Sequence, residues 1–152
     1  MSGPIRVLIA EDQGLLRASL VALLEAEEAM SVVATAVEGG QAVDLCARLR
    51  PDVVVMDIQM PGMSGIEATA RICAGPALAG TRVLILTMFG VDDYVMGALR
   101  AGASGFLLKD TDPQSLVDAV RTIHAGQSLL SPQVLERLVA GGASRPGGSD
   151  WT

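Results

Sequence analysis

Short aliphatic runs alternate strictly with amphipathic segments along this chain, and that rhythm constrains the fold more than any other feature. The runs are Arg6 to Ala10, Ser31 to Ala36, Asp52 to Met56, Arg82 to Thr87 and Gly105 to Leu108. Their length and β-branched content predict five strands. Between and after them, apolar residues recur three and four positions apart. The sets are Leu15, Leu16, Leu20, Leu23 and Leu24; Ala42, Val43, Leu45, Cys46 and Leu49; Ile66, Ala70 and Ile72; Tyr94, Val95, Ala98 and Leu99; and Leu116, Val117, Val120 and Ile123. That spacing predicts five helices. Strands that are apolar on both faces and alternate with helices imply a doubly wound parallel sheet covered on each side. Ligand sites in such sheets form in the crevice outside the strand carboxyl ends.

The chain has 152 residues, which fits one domain of about 100 to 150 residues with a small surplus. Only four residues are aromatic (Phe89, Tyr94, Phe106 and Trp151), so the core is built from Val, Leu, Ile, Ala and Met. Seventeen acidic residues against 11 basic ones leave a net charge of −6, which argues against these residues gripping a nucleic-acid backbone. Cys46 and Cys73 are too few for a disulfide framework, and both lie in apolar helical patterns that predict buried free thiols in a reduced compartment. No signal-peptide pattern opens the chain, and no apolar run reaches the about 18 residues that a membrane span needs. A cytoplasmic protein without membrane contact is the expectation. Residues 128–140 are expected to form a short C-terminal helix, entered at Pro132. The segment 141–152, GGASRPGGSDWT, has flexible linker composition, which suggests the front piece of something longer.

The strand ends carry the chemistry. The first strand runs into Glu11-Asp12, the third into Asp57, the fourth into Thr87 and the fifth into Lys109. A single Asp after a hydrophobic strand often caps the next helix, but three carboxylates on one sheet edge need a cation or a lysine to offset their repulsion. An all-oxygen set with few ligands suits Mg2+, which keeps several waters, better than Ca2+. Asp57 can then serve as a nucleophile that forms an acyl phosphate, with Thr87 and Lys109 holding the phosphoryl oxygens.

These residues lie in four motifs: LIAEDQGLLR (8–17), PDVVVMDIQMPGMSGIEA (51–68), VLILTMF (83–89) and AGASGFLLKD (101–110). Together they make the sequence resemble the receiver domain of two-component response regulators over residues 4–127. The resemblance implies a flavodoxin-like sheet of order 2-1-3-4-5 with five flanking helices. It implies Asp57 as phosphoacceptor, Asp12 as a direct Mg2+ ligand, Glu11 as a companion acid acting through water, and the Gln59 backbone carbonyl as a further ligand. Thr87 and Lys109 would contact the phosphoryl group, and Phe106 occupies the switch aromatic position that pairs with Thr87. Many members place Pro after the lysine, whereas this chain has Asp110. The LLKD form and the segment that follows resemble the NarL/FixJ subfamily, whose members carry a LuxR-type helix-turn-helix domain. The implied partners are a sensor histidine kinase, a second copy in a phosphorylation-dependent homodimer, through either the fourth and fifth helices with the fifth strand or the first and fifth helices, and DNA through a domain absent from these residues.

Other readings are weaker. A stand-alone receiver acting by protein–protein contact, or an atypical receiver that works without phosphorylation, would keep the fold. A phosphatase with an aspartyl intermediate would need a second acid close after Asp57, yet Gln59 stands at the plus-two position; a phosphoacceptor that is not a turnover enzyme is preferred. His124, the one histidine, reads as a solvated helix residue, and Met56, Met60 and Met63 read as packing around the Asp57 loop.

Overall fold

Side chains alternate across a strand, so a run that is apolar at every position must be covered on both faces. A computed structural model describes residues 3–75, 80–87, 97–98, 100–109, 112–127 and 129–130. Strands β1 (Ile5–Ala10), β2 (Met30–Ala36), β3 (Val53–Asp57), β4 (Arg82–Thr87), β5 (Gly105–Leu108) and β6 (Leu129–Leu130) form one sheet in the order β2-β1-β3-β4-β5-β6. Every pairing is parallel. The first five strands follow the expected order. The sixth is an addition: Leu129 and Leu130 pair with Gly105 and Phe106, where 128–140 was expected to be helical. They cover backbone groups that β5 would otherwise leave open at the sheet edge. Pro132 to Ala140 and the 141–152 linker lie outside the described residues.

Helices α1 (Gly14–Glu25), α2 (Gly39–Leu49), α3 (Gly65–Ala74) and α4 (Pro113–His124) flank the sheet. Of the expected helix between β4 and β5, Tyr94, Val95 and Leu99 lie outside the described residues, while Gly97, Ala98, Arg100 and Ala101 are helical. Among the described residues, four helices therefore have defined bounds where five were expected, and α4 is the one expected as the fifth. Local signals start two of them. The Ser64 side chain accepts from the Glu67 N–H ahead of α3, and Asp112 accepts from the Ser115 N–H ahead of α4, where Pro113 opens the first turn.

Two cores result. Leu8, Val54, Met56, Val83, Ile85 and Phe106 pack under α2 and α3 with Ala42, Cys46, Ala68 and Ile72. Val7, Ile9, Val55, Leu84 and Leu86 pack on the other face under α1 and α4 with Leu20, Leu24, Val117 and Ile123. Each fully buried Val, Leu or Ile contributes about 1.5–3 kcal/mol, so β3, buried along its whole length, anchors both layers.

Two apolar positions depart from expectation. Leu15 is 85% exposed, because the α1 stripe that meets the sheet is narrower than the run of leucines. Cys73 is exposed rather than buried; it follows Ile72, which takes the core position on α3. Cys46 is buried as expected, and desolvation pushes its thiol up to about 12. Among the described residues, no helix is long and apolar enough to cross a membrane.

Candidate functional site

The carboxyl ends of β1, β3, β4 and β5 deliver the predicted residues to one edge. Glu11 and Asp12 follow the last residue of β1, Asp57 is the last residue of β3, Thr87 ends β4, and Lys109 follows β5. Parallel pairing keeps these ends level: Asp57 lies opposite Leu86, and Thr87 opposite Leu108. The Lys109 N–H then donates to the Thr87 carbonyl at 2.6 Å, which extends the β4–β5 ladder to the lysine itself.

Glu11, Asp12 and Asp57 each place a carboxylate oxygen within 4.8 Å of the other two. They differ in environment. Glu11 is 1% exposed and Asp57 5% exposed, while Asp12 stands at the solvent side. The Lys109 ammonium bridges the two buried acids, 3.0 Å from Glu11 Oε1 and 3.2 Å from Asp57 Oδ1. Apart from this ammonium, Glu11 Oε1 is a buried oxygen without a hydrogen-bond partner. Its sister oxygen accepts the Gln13 N–H at 3.1 Å.

Burial raises the carboxyls of both Glu11 and Asp57 above their ordinary values, and Lys109 pulls each of them back. Burial alone would lower the Lys109 ammonium, but Glu11 and Asp57 together hold it above the usual lysine value. Two buried carboxylates and one ammonium leave a net negative charge, and exposed Asp12 adds another. A compact set of oxygen donors with surplus negative charge fits a hard divalent cation, so the residues present suit the Mg2+ that the sequence implies.

The remaining predicted residues fall around this centre. Gln59 is exposed, and its backbone N–H hydrogen-bonds the Asp57 carboxylate. Thr87 is buried beside the ladder bond. Phe106 is fully buried among Met56, Ile85 and Ala98 in the α2–α3 layer, three residues before the lysine and away from solvent. Asp110 lies outside the described residues, as does the path of the chain after the lysine. His124 sits in the last turn of α4, half-buried, distant in sequence and element from the acids. Met56 and Met60 are buried and Met63 packs against the same core, as expected for side chains that fill the space around the loop.

Sequence reasoning missed the residues that let the backbone close around Asp57. A Cβ on Gly65 would collide with the Asp57 carbonyl oxygen, and one on Gly39 with the Met63 carbonyl oxygen. The absent side chains let α3 start against the Asp57 peptide and let α2 start against the β3–α3 loop. Two glycines followed by periodic apolar residues were visible in the sequence, but which backbone each one faces was not.

An open parallel sheet with a lysine-bridged acidic pocket at its strand carboxyl ends defines a doubly wound α/β protein whose site has the charge to hold a cation. Residues 7–121 match the response regulator receiver domain family, and the chain belongs to it. It is 39% identical over 136 residues to YxjL, an uncharacterized transcriptional regulatory protein of Bacillus subtilis (strain 168), covering 90% of this chain and 62% of that protein. The chain thus spans less than two thirds of that relative. Among solved structures, it is similar to a LuxR-family two-component response regulator from Aurantimonas sp. SI85-9A1, with 34% identity, a TM-score of 0.84, and 93% of this chain and 100% of that one covered. It is also similar to the signal receiver domain of the NarL response regulator from Mycobacterium tuberculosis, with 33% identity, a TM-score of 0.79, and 83% and 100% covered. The two solved structures are thus of a LuxR-family regulator and of NarL.

Proposed function

We infer that this receiver accepts a phosphoryl group on Asp57 from a phosphohistidine of a sensor histidine kinase, with Mg2+ held by Glu11, Asp12, Asp57 and the Gln59 carbonyl. The observation that carries this reading is the shared ion pair, in which one buried ammonium contacts both Glu11 and Asp57. An Asp57 oxygen attacks phosphorus, the P–O bond forms, the P–N bond to the donor imidazole breaks, and the imidazole leaves. Lys109 keeps Asp57 ionised before transfer and lies within reach of the new phosphoryl oxygens afterwards. Thr87 offers its hydroxyl to the same group from the adjacent strand end. Bound Mg2+ supplies neutralisation of the charge on the transferring group. The Glu11 and Asp12 carboxylates and the Gln59 carbonyl would hold that cation, while the Gln59 N–H and the Lys109 ammonium orient the Asp57 carboxylate.

The chain then acts as a phosphoacceptor rather than as a turnover enzyme, in the cytoplasm where its kinase presents the donor. The transferred group draws Thr87 toward it and alters the packing around Phe106. The buried ring answers through van der Waals contact, since it lacks a hydroxyl. Incubation with Mg2+ and a small acyl phosphate should add one phosphoryl group by mass spectrometry, and Asp57→Ala should abolish the addition. Addition that survives this substitution would rule out the assignment.

An exposed apolar side chain on α1 supports a homodimer, and the similarity to a transcriptional regulatory protein and to a LuxR-family response regulator supports control of transcription by a helix-turn-helix domain joined to the receiver. Leu15 is exposed on α1, and its neighbour Leu16 lines a cleft of about 210 Å3 together with Leu20, Leu23, Leu108, Lys109 and Leu116. Leu15→Glu should shift the phosphorylated protein toward monomer in sedimentation velocity while leaving the unfolding free energy within about 0.5 kcal/mol of wild type. An unchanged dimer fraction would place the interface elsewhere.

A further inference from the structure

The loop that carries Glu11 and Asp12 has little local support. Gln13 caps α1 without a side-chain hydrogen bond, and the first turn of α1 holds no acidic residue. Beyond the Glu11 N–H bond to the Ala36 carbonyl at 3.0 Å and the Lys109 ion pair on the Glu11 carboxylate, two contacts within the loop and from its helix set its shape. One is the Glu11 Oε2 bond to the Gln13 N–H. The other comes from α1: the Arg17 Nη1 donates to the Glu11 carbonyl at 2.9 Å and lies 3.4 Å from the Asp12 carbonyl. The Arg17 backbone N–H also bonds the Gln13 carbonyl at 2.8 Å, so its side chain springs from the first closed turn of the helix and reaches back over the loop. Half-buried Arg17 therefore holds the peptide groups of both acids without touching either carboxylate.

We propose that Arg17 is a positioning residue for the cation site, clamping the Glu11 and Asp12 carbonyls so that both carboxylates converge on Asp57. The guanidinium fits this task because its Nη1 carries two N–H donors on a long, always charged side chain, so one nitrogen serves both carbonyls. The clamp has an electrostatic side effect of opposite sign, because a positive charge beside an acidic pocket repels a divalent cation. The two roles therefore predict opposite outcomes when the side chain is removed. A clamp loses cation affinity, whereas a mere charge neighbour gains it.

This inference rests on the Mg2+ reading above, and the test separates the two. Titration calorimetry with Mg2+ alone on the wild-type chain checks the reading; an absence of binding overturns both claims. If the wild type binds, Arg17→Met should weaken Mg2+ binding about tenfold or more, the range seen when groups behind metal ligands are removed. Arg17→Lys, which keeps a charge and one reaching donor, should recover part of the loss. Phosphorylation from a small acyl phosphate should slow in Arg17→Met at limiting Mg2+ and return to the wild-type rate when Mg2+ is saturating, a pattern that a general loss of stability does not produce. Arg17→Gln provides a second variant if the Met variant unfolds. Unchanged or tighter Mg2+ binding in a folded variant overturns the clamp.

Discussion

Two aspartates stand at opposite ends of β3, and their surroundings could hardly differ more. Asp52, just before the strand, accepts the Arg6 N–H on Oδ2 at 2.9 Å, while its own N–H and carbonyl bond the Arg6 carbonyl and the Arg82 N–H. It knits β1, β3 and β4 together at their amino ends. Asp57, five residues on, faces Glu11 and shares the Lys109 ammonium with it. One aspartate is matched by backbone and serves the fold; the other sits among like charges and, besides the Gln59 N–H, depends on one cationic side chain. Both are aspartates at a strand end, so it is the partner set that separates a structural carboxylate from the one proposed to accept a phosphoryl group.

The contrast is open to attack in order of expected effect. Lys109→Ala should be the most damaging change, because it strands two buried carboxylates; a loss of about 3–5 kcal/mol is expected from urea unfolding at neutral pH. A loss below 1 kcal/mol would mean that water reaches the pocket. Asp52→Ala should cost about 1.5–3 kcal/mol, the range for a bond to a charged group, and should leave phosphoryl addition at Asp57 intact. If it abolishes that addition, the two ends of β3 are not independent.

The pH dependence should be smaller but of diagnostic sign. Asp57 lies above its ordinary value of 3.8 in the folded protein, so the folded state keeps this proton after the unfolded chain has lost it. Stability is then lost as pH rises from about 3.8 through the raised value. Lys109 lies above its ordinary 10.5, so its contribution is fully present below that value and is lost as pH rises through the folded value. In a series of urea midpoints without divalent cations, Asp57→Asn should gain on wild type as pH climbs through the acidic window. A constant difference between the two would contradict the raised carboxyl.

Most of this was legible in the sequence because strand ends are legible. Aliphatic runs that stop at Asp57, Thr87 and just before Lys109 name both the sheet and its active edge, and parallel topology brings the ends level. What the sequence hid is direction. The leucines of α1 advertise a stripe but not its width, so Leu15 was grouped with the core. Cys73 lies in an apolar pattern yet points outward beside Ile72. Arg17 stood in the first motif, five residues after Asp12, and nothing in its spacing reveals that it turns back to the loop carbonyls. The pairing of Leu129–Leu130 with β5 also escaped, since two residues carry no period.

The burial of Cys46 has a practical corollary. A thiol pushed up to about 12 is almost wholly protonated at neutral pH and unreactive to alkylating reagents, while Cys73 on the neighbouring helix is open to them. With Cys73 replaced by Ser, the labelling rate of the remaining thiol would clock how often α2 lifts from the sheet. The chain thus contains its own stopwatch for opening of the layer that rests on the Asp57 loop.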